Sequence, residues 1–243
     1  MKSSGKSFIL ALQFLTRLPA PSVAATDAEF AASMRWFPFI GLIIGALVAA
    51  GGWAGAYIDE WTGALAALAL WVSVTGALHL DGLSDLADAR GAAHKDRDRL
   101  LAVMADPHVG SFGVVAIAMQ LIAKLVLLHA LVIGQFWLAL ALIPFAARIG
   151  PLIWTRWLPP LHAGLASRFR DAVRPVDIGL WAMALAAASW RSPCLLATPL
   201  LLFLWSHWLR RSIGGISGDG HGAGIELVET GLLIATVVGM RLA

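Results

Sequence analysis

Between Trp61 and Leu80 the chain contains no Asp, Glu, Lys or Arg. A helix needs about 20 such residues to cross a hydrocarbon core about 30 Å thick. Inside that layer every backbone N–H and C=O must be satisfied by the chain itself, which leaves helical bundles and closed barrels as the available architectures. Comparable apolar runs recur along the sequence, and none alternates in the manner of barrel strands. Hydrophobic residues make up 59% of the chain and charged ones 14%, against about 25% charged in a soluble domain. The sequence therefore reads as an all-α integral membrane protein, a polytopic bundle of about seven transmembrane helices. Spans are expected at 36–58, 62–80, 109–133, 136–155, 176–190, 193–209 and 224–241. The fifth is short enough to be a half-helix.

The N-terminal "MKSSGKSFILALQFLTRLPAPS" has the basic start of a signal peptide, but Arg17 interrupts its apolar stretch and no small-x-small cleavage site follows. It reads as an uncleaved short amphipathic helix ended by Pro19 and Pro21. With no inverted repeat and no low-complexity tract, residues 1–243 form a single transmembrane catalytic domain. Cys194, the only cysteine, sits in an apolar run and is a packing residue.

The net charge of +3 comes from basic residues beside the spans, so it calls for a lipid bilayer and not for nucleic acid. With the N-terminus in the cytoplasm, that side collects Lys2, Lys6, Arg17, Arg35, Arg90, Lys95, Arg97, Arg99, Arg156, Arg168, Arg170, Arg174, Arg210 and Arg211. The far side receives Arg191 and Arg241, with Asp59 and Glu60 in its first loop. The positive-inside rule then places the segments 81–108, 156–177 and 210–223 in the cytoplasm. The basic segment 156–177 reads either as a topology signal or as an anion-binding lid. A homo-oligomer is compatible with all of this.

"HLDGLSDLADAR" follows the charge-free run and puts Asp81, Asp85 and Asp88 at i, i+4 and i+7. On a helix they fall within an arc of about 60° over about 10 Å. Three like charges on one stripe repel unless a cation sits among them, and Mg²⁺ suits one or two carboxylates plus phosphate. Asp106, at the edge of the next span with His108 two residues on, is the fourth candidate metal ligand. The C-terminal "GGISGDGHGAGIELVETG" combines a glycine loop, with Gly218 and Gly222 admitting substrate closely, and the candidate catalytic residues Asp219, Glu226, Glu229 and His221. The acids rank ahead of His221. Lys124 and Arg148 lie deep in spans, where a charge either meets a bound anion or pairs with Glu226 or Glu229. His129 and His207 read as packed or interfacial. Metal-binding acids, deep cations and a glycine-rich segment on one face suit phosphoryl-group transfer.

The motifs "FLTRLPAP", "RWFPFIGLIIG", "GALHLDGLSDLADA", "MADPHVGSFG" and "GDGHGAGIELVE", in this order, resemble the cobalamin synthase family, the adenosylcobinamide-GDP ribazoletransferases. The resemblance implies a multi-pass enzyme of the bacterial cytoplasmic (inner) membrane with its site facing the cytoplasm. It also implies Mg²⁺-dependent transfer of the phosphocobinamide moiety of adenosylcobinamide-GDP to α-ribazole or its 5′-phosphate, with release of GMP. Asp81, Asp85, Asp88, Asp106, Asp219, Glu226 and Glu229 match the family's acidic positions. Gly220 and His221 stand where the family commonly has Thr-Leu, and Ala105 where it often has a basic residue, so contacts of those positions do not carry over. Two other readings compete. One is a CDP-alcohol phosphotransferase-like lipid enzyme, whose D-x-x-D-G pattern is met only in part. The other is a cation-coupled transporter lined by the deep charges.

Overall fold

A computed structural model describes residues 3–92, 96–104, 106, 108–161, 169–170 and 172–242. Lys2, Lys95, Ala105, Arg168 and much of the expected lid (162–168 and 171) lie outside them.

Helix α1 (Ser3–Leu15) buries Leu10, Ala11 and Leu15 and stops short of Pro19, as expected. Its Lys6 ammonium stands 2.6 Å from Glu29. Glu29 in turn closes a capping box with Thr26 at the start of α2 (Asp27–Ala31). A 3-10 turn, Ala32–Trp36, leads into α3 (Phe37–Gly55), and the three form one continuous span of 29 residues. Helix α3 packs on α8 (Trp137–Ala147) along Gly41 and Gly45. A methyl group on Gly41 would stand 2.5 Å from the Pro144 carbonyl oxygen, and one on Gly45 would run into the Ala141 carbonyl. This is the small-xxx-small spacing that lets membrane helices touch backbone to backbone.

Helix α4 (Glu60–Thr75) begins on Asp59, whose carboxylate accepts the Thr62 N–H at 2.9 Å. It ends at Gly76 and Ala77, both left-handed at φ 60° and 59°. For alanine that conformation costs about 1 kcal/mol, and the surroundings hold it: the Arg17 N–H donates to the Val74 carbonyl at 2.7 Å, and the Arg17 side chain occupies the space beside Gly76. The chain leaves this turn at 83° as α5 (Leu78–Ala92). The expected span 62–80 is thus broken at its last turn. With Asp81, Asp85, Asp88 and Arg90 among its residues, α5 does not prolong the crossing but runs off its end.

After the short α6 (Arg97–Met104), α7 (Ser111–Ile133) exposes Val114, Val115, Met119, Ile122 and Val126 while burying Gln120, Lys124 and Leu128. An apolar outside over a polar inside is what a lipid-facing helix requires. Helices α8 and α9 (Gly150–Trp157) make one span of 21 residues, and α12 (Gly218–Leu242) makes another of 25. Between them, α10 (Pro175–Arg191) has 17 residues and α11 (Thr198–Ser212) has 15. At about 1.5 Å per residue neither covers about 30 Å. The membrane-helix class is as expected and the count of seven is not: among the described residues four helices are long and apolar enough to cross, or five if the bent α4–α5 pair is one span.

Candidate active site

Helices α5 and α12 meet where each has a glycine. A Cβ on Gly82 would stand 2.9 Å from the Asp219 Cα and carbonyl oxygen, and one on Gly222 would stand 3.3 Å from the His79 Cα. Removing the side chains at this crossing brings the acidic stripe of α5 against the first turn of α12. That turn is set by Ser217, which accepts the Gly220 N–H at 3.0 Å and donates to Asp219 at 3.4 Å. The approach to it is pinned by an isolated bridge, in which Ile216 N–H donates to the Pro159 carbonyl and Leu161 N–H to the Ile216 carbonyl, both at 2.9 Å.

The glycine-rich stretch is therefore not a loop. Residues 218–224 are the first two turns of α12, and most of their glycines face packed neighbours: Gly220 faces Ile216, Gly222 faces His79, and Gly224 faces Trp154 and Trp205. Gly218 alone of these four opens on free space.

The acids divide by partner. Asp85 is half-buried beside Asp81, Asp219 and Asp88; burial first, and then those three negative charges in that order, push its carboxyl up to about 6. Asp88 belongs to the same stripe but is spent elsewhere. Its two oxygens accept the Gly110 and Gly113 N–H groups at 2.7 and 2.9 Å, so it caps α7 from a neighbouring helix. Asp106 is exposed and accepts the His108 backbone N–H at 3.0 Å, with the imidazole at 2.6 Å, which holds its carboxyl below the usual range. It is not among the charges that raise Asp85.

Glu226 and Glu229 lie deeper, in a separate and closed assembly. Lys124 stands 2.7 Å from Glu226 and 2.6 Å from Glu229, and Arg148 stands 2.7 Å from Glu229. All four side chains are at most 4% exposed. Gln120 donates to Glu226 at 2.9 Å, and the Lys124 ammonium sits 4.3 Å above the Trp71 ring. Two cations and two anions cancel, so of the two roles open to Lys124 and Arg148 the structure shows internal pairing. His129, half-buried, stacks on Trp61, and His207, on an exposed face of α11, stacks on Phe203.

Sequence reasoning passed over His79, two residues before Asp81 and on the face of α5 that meets α12. Its Nδ1 lies 3.4 Å from Arg148 Nη2, linking the buried assembly to the acidic one. His79, Asp81, Asp219, His221, Gly218 and Gly222 line one cavity of about 220 Å³, closed on its far side by α1, α3 and Pro151. A larger apolar groove of about 1170 Å³ between α5, α7, α11 and α12 touches none of the candidate site residues.

No group of three His, Cys, Asp or Glu among the described residues is drawn together tightly enough to hold a metal alone. Asp81, Asp85 and Asp219 nevertheless supply hard oxygen donors close to one another at the α5–α12 crossing. That set fits an ion such as Mg²⁺, which keeps several waters and takes its remaining ligands from substrate phosphate.

The profile described as cobalamin-5-phosphate synthase matches residues 7–237. A protein of Novosphingobium aromaticivorans named adenosylcobinamide-GDP ribazoletransferase is 66% identical, over 96% of each chain. Proteins of the same name from Thiobacillus denitrificans and Pseudomonas aeruginosa are 46% and 38% identical, over 98% and 97% of this chain and 97% and 99% of theirs. No solved structure matches.

Proposed function

The chain belongs to the cobalamin-5-phosphate synthase family and is a membrane transferase of cobalamin synthesis, and from that premise we propose that it transfers the phosphocobinamide moiety of adenosylcobinamide-GDP to α-ribazole or its 5′-phosphate. A ribazole hydroxyl attacks the phosphorus attached to cobinamide, the bond to the second phosphate breaks, and GMP departs. Membership of this family sets aside the lipid-enzyme and transporter alternatives.

The observation that carries the reading is the crowding of carboxylates at the α5–α12 crossing. A pyrophosphate brings negative charge to a place already holding Asp81, Asp85 and Asp219, while Lys124 and Arg148 are neutralised by Glu226 and Glu229. Anionic substrate and anionic site meet only through a cation. Asp81, Asp85 and Asp219 would hold Mg²⁺, which when bound supplies charge neutralisation for the phosphoryl group and for the leaving GMP. The chain's own part is positioning. The glycine crossing sets the separation of the two carboxylate-bearing helices, Asp88 fixes α5 against α7, and a part-open cavity lies beside Asp81 and Asp219. The basic residues flanking α1, α5 and α11 support a site on the cytoplasmic face of a bacterial inner membrane.

Membranes carrying the protein, given adenosylcobinamide-GDP, α-ribazole and Mg²⁺, are expected to release GMP only when both organic substrates are present. GMP release without α-ribazole, or none at all, would overturn the reading.

A further inference from the structure

We propose that the apolar groove between α5, α7, α11 and α12 binds one anionic phospholipid, with its phosphodiester on Arg90 and Arg211 and its acyl chains along the walls beyond them. Leu83, Leu86 and Ala87 of α5, Val115 and Met119 of α7 and Leu204 of α11 line the groove. Its volume of about 1170 Å³ lies above the roughly 300–1,000 Å³ of sites that enclose a drug-sized ligand. The charged groups gather at one end. Arg90 lies in the last turn of α5, Phe112 in the first turn of α7 and Arg211 in the last turn of α11, and all three border the groove. From Arg211 back to Leu201 is about 15 Å of helix, half of a hydrocarbon core about 30 Å thick. That is the depth one leaflet's acyl chains occupy.

The arginines decide the headgroup. Both are exposed, and neither makes a hydrogen bond or an ion pair with another described residue. The acids of α5 are turned elsewhere, since Leu83, Leu86, Ala87 and Arg90 recur at the helical period on the side of the helix away from Asp81, Asp85 and Asp88. Two guanidiniums fork onto phosphate oxygens, and they repel the ammonium of a zwitterionic headgroup. Trp208, stacked on Trp205 with centroids 5.0 Å apart at 15°, adds the kind of ring that favours the headgroup level of a bilayer. A corrinoid suits the groove poorly, because amides on a corrin rim need hydrogen-bond partners and the walls away from the arginines are apolar. A bound lipid touches both helices of the acidic crossing. Leu83 and Leu86 alternate with the carboxylates along α5, and Trp205 in the groove wall donates its indole N–H to the Gly220 carbonyl at 3.0 Å, in the first turn of α12. An occupied groove therefore braces the helices that carry Asp85 and Asp219.

The test titrates the purified full-length protein, stripped of lipid in detergent, with phosphatidylglycerol or with phosphatidylcholine, and counts bound lipid by native mass spectrometry. One tightly held phosphatidylglycerol per chain is expected, with phosphatidylcholine far weaker. A basic residue beside a membrane surface contributes about fivefold to affinity for anionic lipid. Arg90→Gln combined with Arg211→Gln is therefore expected to weaken phosphatidylglycerol about twenty-fivefold, whereas Arg156→Gln, an exposed arginine outside the groove, leaves it unchanged. Ala116 lines the groove and is half-buried, so Ala116→Trp fills the space and is expected to abolish tight binding. Both groove variants should keep the Tm of the unsubstituted protein in lipid-free detergent and lose the rise that phosphatidylglycerol gives it. Should Ala116→Trp fail to fold, the arginine pair decides alone. Equal phosphatidylglycerol affinity with and without the two arginines, an equal loss in Arg156→Gln, or displacement of the lipid by adenosylcobinamide-GDP overturns the proposal. Binding is read without turnover, so its outcome is separate from that of the transfer reaction proposed above.

Discussion

Two acid-rich regions lie on the same pair of helices and behave in opposite ways. At the α5–α12 crossing Asp81, Asp85 and Asp219 crowd one another, the neighbouring carboxylates raise Asp85, and Asp81 and Asp219 line a cavity. Deeper in the bundle, Glu226 and Glu229 are matched one for one by Lys124 and Arg148 and are closed to solvent. Both regions are expensive to build in a membrane protein. The difference teaches that buried acids paired with buried cations are spoken for within the fold, whereas acids that raise one another's affinity for a proton are the ones able to gain from a cation. The balanced set holds helices α7, α8 and α12 together, whereas the crowded set raises the carboxyl at its centre.

Breaking the balanced set gives the largest effect. Glu229→Gln leaves Lys124 and Arg148 with a single anion in a dry interior, and losing one partner of a buried ion pair costs about 3–5 kcal/mol. Thermal unfolding in detergent is expected to show a large fall in Tm, partly recovered when Lys124→Met restores neutrality. A Tm for Glu229→Gln equal to that of the unsubstituted protein would show that the network does not hold the bundle together.

Removing a charge from the crowded set does the reverse. Asp85→Asn relieves repulsion and keeps the side chain's size, so Tm is expected to hold or rise, while GMP release falls about a hundredfold or demands far more Mg²⁺. An Asp85→Asn protein with unchanged activity and unchanged Mg²⁺ dependence would erase the distinction between the two regions.

The smallest effect sharpens the same contrast through pH. The Asp85 carboxyl is raised in the fold from 3.8 to about 6, so the folded state holds that proton more tightly than the unfolded chain does. The resulting stabilisation is full below about 4 and is lost as pH rises through about 6. With divalent ions chelated, Tm is expected to decline slightly from pH 5 to pH 7 in the unsubstituted protein and to lose that slope in Asp85→Asn. Asp85 is only partly buried, so solvent screening keeps the change small.

The helical class and most crossings were legible because hydropathy and helix length are local properties. The crossing number was not. The run through Leu80 stays apolar across the left-handed Gly76 and Ala77, so a bend of 83° leaves no trace in hydropathy. The two expected spans at 176–190 and 193–209 fall on helices of 17 and 15 residues, too short to cross. The acidic stripe was legible from its spacing. The fate of Asp88 was not, since its partners Gly110 and Gly113 lie more than twenty residues away. The glycines of 218–224 suggested a loop by composition, and only the neighbours packed against them explain a helix. Pairing of Lys124 and Arg148 with the glutamates was one of two readings that the sequence left open. The apolar groove between α5, α7, α11 and α12, gathered from distant segments, had no local signature.

The cap that Asp88 places on α7 joins the α5–α12 crossing to an outward-facing apolar surface. Val114, Val115 and Met119, within the first turns beyond that cap, face outward. Whatever surrounds α7 therefore pulls on α5 through two short hydrogen bonds. Extraction into a micelle that grips α7 poorly frees its first turn, slackens the Asp88 tether and lets Asp85 drift from Asp219. Choice of amphiphile thus becomes a variable in turnover, and preparations that look equally folded by helix content will differ in rate according to how well they mimic the acyl-chain packing around one helix.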